Sequence, residues 1–292
     1  MFSPPDPLAR LGSQQPVVLA ADPVASLRLR GHALAADADV GELVRRESGA
    51  LGDVYADEIG AGADVLVTLT ADTTPRSLGR LGMAFRAAAL SAVAVDEAHA
   101  AVSRSHRSVL VAGVLGPSVP LPADEGRIDE ELGAHAARLA TAGCQILLAR
   151  AGAVAGESPD LRRRAHWTAV LSARATGRAT WAVIGVGSDG EPADGGRLAE
   201  LAPRLVDEGV AALLFDGDEE GLARVLERAA RHAPNMALGA FVGAQTISPA
   251  AADERLVGLV NRLWSAGARV LGGGAGCTTL HTRRLAAALH QR

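Results

Sequence analysis

The stretch "VLGGGAGCTTLH", residues 270–281, collects the residue types of this chain best suited to chemistry. Its glycines, Gly272, Gly273 and Gly274 among them, would let backbone amides approach a ligand closely, as a phosphate cradle requires. Cys277 stands just past the glycines, where a helix is expected to begin. That setting lowers a thiol's pKa and makes Cys277 a candidate nucleophile, set against the favoured reading of a small buried filler. His281, four residues on, reads either as a ligand or as a helix-start residue that orients the loop. The seven other histidines are spread singly, without the spacing of a metal-binding pair. Elsewhere, Asp22 and Asp216 are candidates for a counter-charge or general base, and Arg150 for an anion contact. "GVGSDG", residues 185–190, has the G-x-G-x-x-G spacing of a dinucleotide site. That fingerprint needs a helix to start at once, and "EPADGGR" follows instead, so no nucleotide is expected there.

These residues gain meaning from the elements that carry them. Eight apolar runs recur: "PVVLAAD" 16–22, "ADVLVTLTAD" 63–72, "SVLVAGVLG" 108–116, "QILLARAG" 145–152, "ATWAVIGVG" 179–187, "VAALLFDG" 210–217, "MALGAFVG" 236–243 and "ARVLGGGAG" 268–276. Each is apolar nearly throughout, as strands covered on both faces are. Alanine- and arginine-rich stretches of helical period separate them, and single helices are predicted over 76–102 and 221–233. The alternation predicts an α/β fold, a single (β/α)8 barrel covering 1–292 with a flexible extension at 1–15. An open doubly wound sheet is the alternative. In a barrel the site lies where strands end, which gathers Asp22, Thr68, Thr70, Asp72, Ser118, Arg150, Gly185, Asp216 and the glycines 272–274 at one mouth. Thr68, Thr70, Arg150 and the three glycines are the expected substrate contacts.

Composition narrows the partners. A net charge of -4 gives no basic footprint for nucleic acid or for an anionic membrane, so neither is expected. All 29 basic residues are arginines, which excludes Schiff-base chemistry on a lysine. Cys144 and Cys277 cannot form a disulfide framework, and Cys144 reads as packing at the far end of the barrel. The start of the chain lacks the pattern of a signal peptide, and no apolar run reaches the roughly 20 residues that span a bilayer, so a cytoplasmic protein is expected.

Three segments carry a resemblance. "AGADVLVTLTADTTPRSLGRLGM" is similar to A-G-A-D-x-x-x-T-N-T-Y, "VLVAGVLGP" to V-A-G-S-I-G-P, and "LWSAGARVLGGGAGCTTLHTRRL" to W-x-x-A-G-A-x-x-x-G-G-C-C-G-T-T-P-x-H-I. They occur in order between residues 16 and 290, and on them the chain resembles the homocysteine S-methyltransferase family, whose barrels use zinc to methylate homocysteine. The resemblance implies three zinc-binding cysteines, one after the sixth strand and two adjacent after the eighth. Here those positions hold Asp216, Gly274 and Ala275. It also implies an aspartate after the first strand, where this chain has Ala20, and a glutamate for the substrate ammonium after the fourth, where it has Arg150. The asparagine and tyrosine of T-N-T-Y become Leu69 and Ala71.

The expectation is therefore a divergent barrel that binds a small, anionic metabolite with altered or new catalysis. No cofactor is expected, because the family's zinc ligands are missing. Two alternatives stay open: a non-catalytic subunit acting on a protein partner or as a homo-oligomer, which an Arg150–Asp216 salt bridge closing an empty pocket would favour, and S-methyl transfer with a metal set of Asp216, Cys277 and His281.

Overall fold

A computed structural model of the chain describes residues 6–12, 15–34, 37–116, 125–150, 158–247 and 253–291. Ser118 lies outside them. All eight apolar runs form strands: β1 (Val17–Leu19), β2 (Val65–Val67), β3 (Leu110–Leu115), β4 (Ile146–Arg150), β5 (Ala179–Gly185), β6 (Ala212–Asp216), β7 (Ala237–Val242) and β8 (Ala268–Gly273). They pair in parallel in chain order and close through β8 on β1, so the sheet is a barrel and not the open alternative.

Helices surround it: α1 (Pro7–Gly12), α2 (Pro23–Leu29), α3 (Asp37–Arg46), α4 (Ser48–Ala61), α5 (Pro75–Gly79), α6 (Ala87–Arg104), α7 (Glu125–Thr141), α8 (Pro159–Ala175), α9 (Leu198–Asp207), α10 (Glu219–His232), α11 (Asp253–Ser265) and α12 (Thr279–His290). Several starts are written locally. Asp22, Thr74 and Ser158 each accept a backbone N–H of the helix that follows them, α2, α5 and α8, and each is followed by a proline at the first helical turn. The helix predicted over 76–102 is divided instead into α5, a 3-10 turn at Ala84–Arg86 and α6. Gly82, at φ +66°, sits in a left-handed conformation that no helix can pass through. None of the described helices is long and apolar enough to cross a membrane.

Alternation along the strands decides what faces the barrel axis. Ile146 and Leu148 of β4, Trp181 and Val183 of β5, and Ala212 and Leu214 of β6 fill the interior together with Val17, Leu19, Val65 and Val270. Leu147, Ala149, Ala182 and Leu213 pack outward among the helices. Two residues further on, the same alternation turns Arg150 and Asp216 inward at the C-terminal mouth.

The opposite end is closed by α1, in the segment expected to be a flexible extension. Leu11 packs into the interior cluster from below, and Arg10 forms an ion pair with Asp64. Asp64 also accepts the Val18 N–H at 2.9 Å and pairs with Arg107, so this carboxylate ties α1 to the starts of three strands.

Candidate functional site

The mouth is uneven. On its β1–β2 side the polar residues are spent on the wall. Thr68 and Thr70 are fully buried: the Thr68 hydroxyl donates to the Ala112 carbonyl at 3.0 Å, and the Thr70 hydroxyl accepts the Val114 N–H at 2.9 Å. These bonds stitch the end of β2 to β3 and engage in the wall both hydroxyls that were expected to contact substrate. Below them His135 of α7 is buried with its Nε2 3.1 Å from the Thr70 carbonyl, and burial pushes its pKa down to about 3. Tyr55 of α4 accepts the Leu69 N–H at 2.9 Å. Ala20 is buried, and Asp22 is the cap of α2, accepting the Val24 N–H at 2.9 Å.

The β4–β8 side carries exposed charge. Arg150, the last residue of β4, reaches across β5 to Asp216, the last residue of β6, with Nη2 donating to Oδ2 at 2.7 Å. The two side chains are 33% and 30% exposed, so the pair faces the solvent of the mouth. Gly185, in register with Asp216 on the intervening strand, sets no side chain between them. The guanidinium carbon of Arg150 lies 5.7 Å from the centre of the Phe241 ring on β7, within reach of a cation–π contact. Phe241 was not singled out in the sequence. Its place at the inward end of the apolar run "ALGAFV" was the available signal.

Beside Asp216 the glycines do different jobs. A Cβ on Gly272 would press on Leu19, and one on Gly273 would stand 2.6 Å from Cβ of Cys277, so these two glycines permit close packing inside the wall. A Cβ on Gly274 would lie 3.5 Å from Oδ1 of Asp216, which places Gly274 at the mouth. Gly274 to Cys277 form a turn closed by Cys277 N–H donating to the Gly274 carbonyl at 3.1 Å, with Gly276 at φ +78°.

Cys277 takes the buried-filler role. It is buried, its Sγ donates to the Val242 carbonyl at 3.4 Å, and burial pushes the thiol up to about 12, with the carboxylates of Asp216 and Glu58 adding to the shift. Loss of solvent outweighs any helix-start effect and favours the protonated thiol. His281 forms a capping box with Thr278 at the start of α12: its Nδ1 accepts from the Thr278 N–H at 3.0 Å and lies 2.9 Å from the Thr278 hydroxyl. Burial lowers its pKa, so it is neutral there. Asp216, Cys277 and His281 are thus turned to different tasks, and among the described residues no group of three or more His, Cys, Asp or Glu side chains is placed to hold a metal ion.

One buried acid went unnoticed in the sequence. Glu58 is 1% exposed on α4, close to Thr279 and Thr282 of α12, and burial holds its carboxyl above the usual range. Its spacing from Leu51, Val54 and Tyr55 puts it on the buried helix face, which is the sequence signal that could have found it. "GVGSDG" turns back through a bridge between Val186 and Pro192, and the next helix, α9, begins only at Leu198, as the absence of a dinucleotide fingerprint requires.

A family model described as homocysteine S-methyltransferase matches residues 23–289. The homocysteine methyltransferase MmuM of Escherichia coli in its metallated form superposes with a TM-score of 0.79 at 19% identity, over 96% of this chain and 99% of that one. Its oxidised form gives the same TM-score at 17% identity. A dihydrodipicolinate synthase from Agrobacterium tumefaciens matches at a TM-score of 0.51 and 15% identity, over 91% of this chain and 72% of that one, a likeness of barrel fold alone. No curated protein matches the chain.

Proposed function

The chain belongs to the homocysteine S-methyltransferase family, and from that membership we propose that it binds a small anionic metabolite at the mouth of the barrel in place of zinc-activated thiol methylation. The observation that carries this reading is the Arg150–Asp216 pair. A guanidinium stands where the resemblance puts the carboxylate for an amino-acid ammonium, and like charge repels homocysteine in that pose. Arg150 holds the anion and Asp216 is its counter-charge.

Zinc does not suit the residues present. Of the three ligand positions, Gly274 and Ala275 offer no side-chain donor, and Asp216 is already engaged by Arg150. The mixed set of Asp216, Cys277 and His281 is no better supported, since Cys277 Sγ is turned to the Val242 carbonyl and His281 Nδ1 to Thr278. The reaction, if one follows binding, is altered from the family's. The reading is tested by a thermal-shift screen of small carboxylates and phosphates, with each hit titrated into the Arg150→Glu variant. Loss of binding is expected, and unchanged affinity for every hit overturns the reading.

The pair also favours a second reading, because two charges that satisfy each other need no ligand. A non-catalytic subunit would co-purify at fixed stoichiometry with a second polypeptide and bind none of the screened anions.

A further inference from the structure

We infer that Glu58 is a proton-operated latch: with a proton on its carboxyl the seam between α4 and α12 stays closed, and when the carboxyl ionises the first turn of α12 opens to water.

The placement of Glu58 carries this. The residue is 1% exposed, and neither of its carboxyl oxygens has a hydrogen-bond partner or an ion pair among the described residues. Beside it, out of hydrogen-bond geometry, stand the hydroxyls of Thr279 and Thr282 on the first turn of α12 and the N–H of Ala21 just past β1. An unpaired carboxylate in such a place is costly, whereas a neutral carboxyl is tolerated. The seam around it is held by long bonds: Thr282 Oγ1 accepts the Ala21 N–H at 3.3 Å, and the Thr279 N–H donates to Ser26 Oγ of α2 at 3.3 Å.

No cation stands by to take the charge. On α4 itself the neighbour is Asp57, which is paired with Arg30 at the end of α2. The Cys277 thiol lies beyond the seam and feels the Glu58 carboxylate only as a repelling charge. On α12, Arg283 is exposed and Arg284 is paired with Asp253. From α6, Glu97 and Arg104 meet α4 at Gly52, nearer its start. Water drawn in through the first turn of α12 is therefore the relief left to an ionised Glu58. That turn follows directly on Gly274–Cys277, and a Cβ on Gly273 would touch both Cys277 and Ala21, so the wall of the mouth beside Asp216 borders the latch.

The sign of the pH effect follows. A glutamate in the unfolded chain ionises near 4.5, and burial holds the folded carboxyl above that value. The native state keeps a proton that the unfolded chain has released. This group's contribution to stability therefore falls as pH rises above 4.5, and stops falling once the folded carboxyl ionises and the latch opens.

Denaturant melts of the wild type, Glu58→Gln and Glu58→Leu from about pH 4 to about pH 9 test the proton, and amide exchange at Ala21, Thr279 and Thr282 tests the opening. The unfolding constant of the wild type, relative to either variant, is expected to rise by up to about tenfold per pH unit above the ordinary glutamate value and then to level off. At the pH where it levels off, the three amides are expected to exchange faster in the wild type than in Glu58→Gln. If one variant fails to fold, the other supplies the same difference. An offset that stays constant with pH overturns the latch, because altered packing alone does not titrate. Equal exchange at these amides in the two proteins up to about pH 9 overturns the opening. Protection restored to the wild type by sodium or potassium chloride, but not by choline chloride, makes Glu58 a cation ligand and also overturns the inference.

Discussion

The two sides of the mouth start from similar material and end with opposite properties. Just past β2, Thr68 and Thr70 carry polar side chains toward the mouth end, as Arg150 and Asp216 do at the last positions of β4 and β6. The threonine hydroxyls reach the carbonyl of Ala112 and the amide of Val114 and become part of the wall. The longer charged side chains extend past the last backbone pair and meet each other in the open mouth. A polar residue at a strand end is therefore a site residue only if its side chain outreaches the hydrogen-bonding groups of the neighbouring strand.

That contrast can be broken first at Thr70. Thr70→Val leaves the buried Val114 N–H without its acceptor and should cost about 1–3 kcal/mol of stability, read from denaturant melts, with anion binding unchanged. A loss of binding with normal stability would move Thr70 from the wall to the site.

His135 sharpens the same side through pH. Its folded pKa of about 3 lies below the ordinary 6.5, so the unfolded chain binds the extra proton and stability falls as pH drops from 6.5 toward 3. The loss from this group should reach roughly 2 kcal/mol at pH 5, and the slope should flatten in His135→Gln. An unchanged slope in that variant contradicts the buried, neutral imidazole.

Asp22→Ala removes a helix cap and should cost about 1 kcal/mol, without effect on ligand affinity. On the charged side, the double variant of Arg150 and Asp216 should move the melting midpoint by less still, because a pair near one-third exposed is worth no more than about 1 kcal/mol. Stability would then map the β1–β2 side and binding the β4–β8 side.

The barrel was legible in the sequence because strands buried on both faces must be apolar throughout, and eight such runs left little freedom of topology. The division of residues 76–102 was harder to see, since it turns on the conformation of Gly82 and not on the apolar period. The charged pair was legible as a pairing of strand-end residues, though not in its geometry. Arg150 and Asp216 are 66 residues apart in the chain, and only the closed sheet brings them within 2.7 Å. For Cys277 the sequence left a reactive thiol beside a buried filler, and the burial that decides for the filler goes with its close packing on Gly273, which has no side chain.

The proposal that an ion pair stands at this mouth in place of a metal is open to a measurement of metal content. Untagged protein, incubated with zinc and desalted, is predicted to retain none by elemental analysis. About one zinc per chain, lost on Asp216→Ala, would contradict the account.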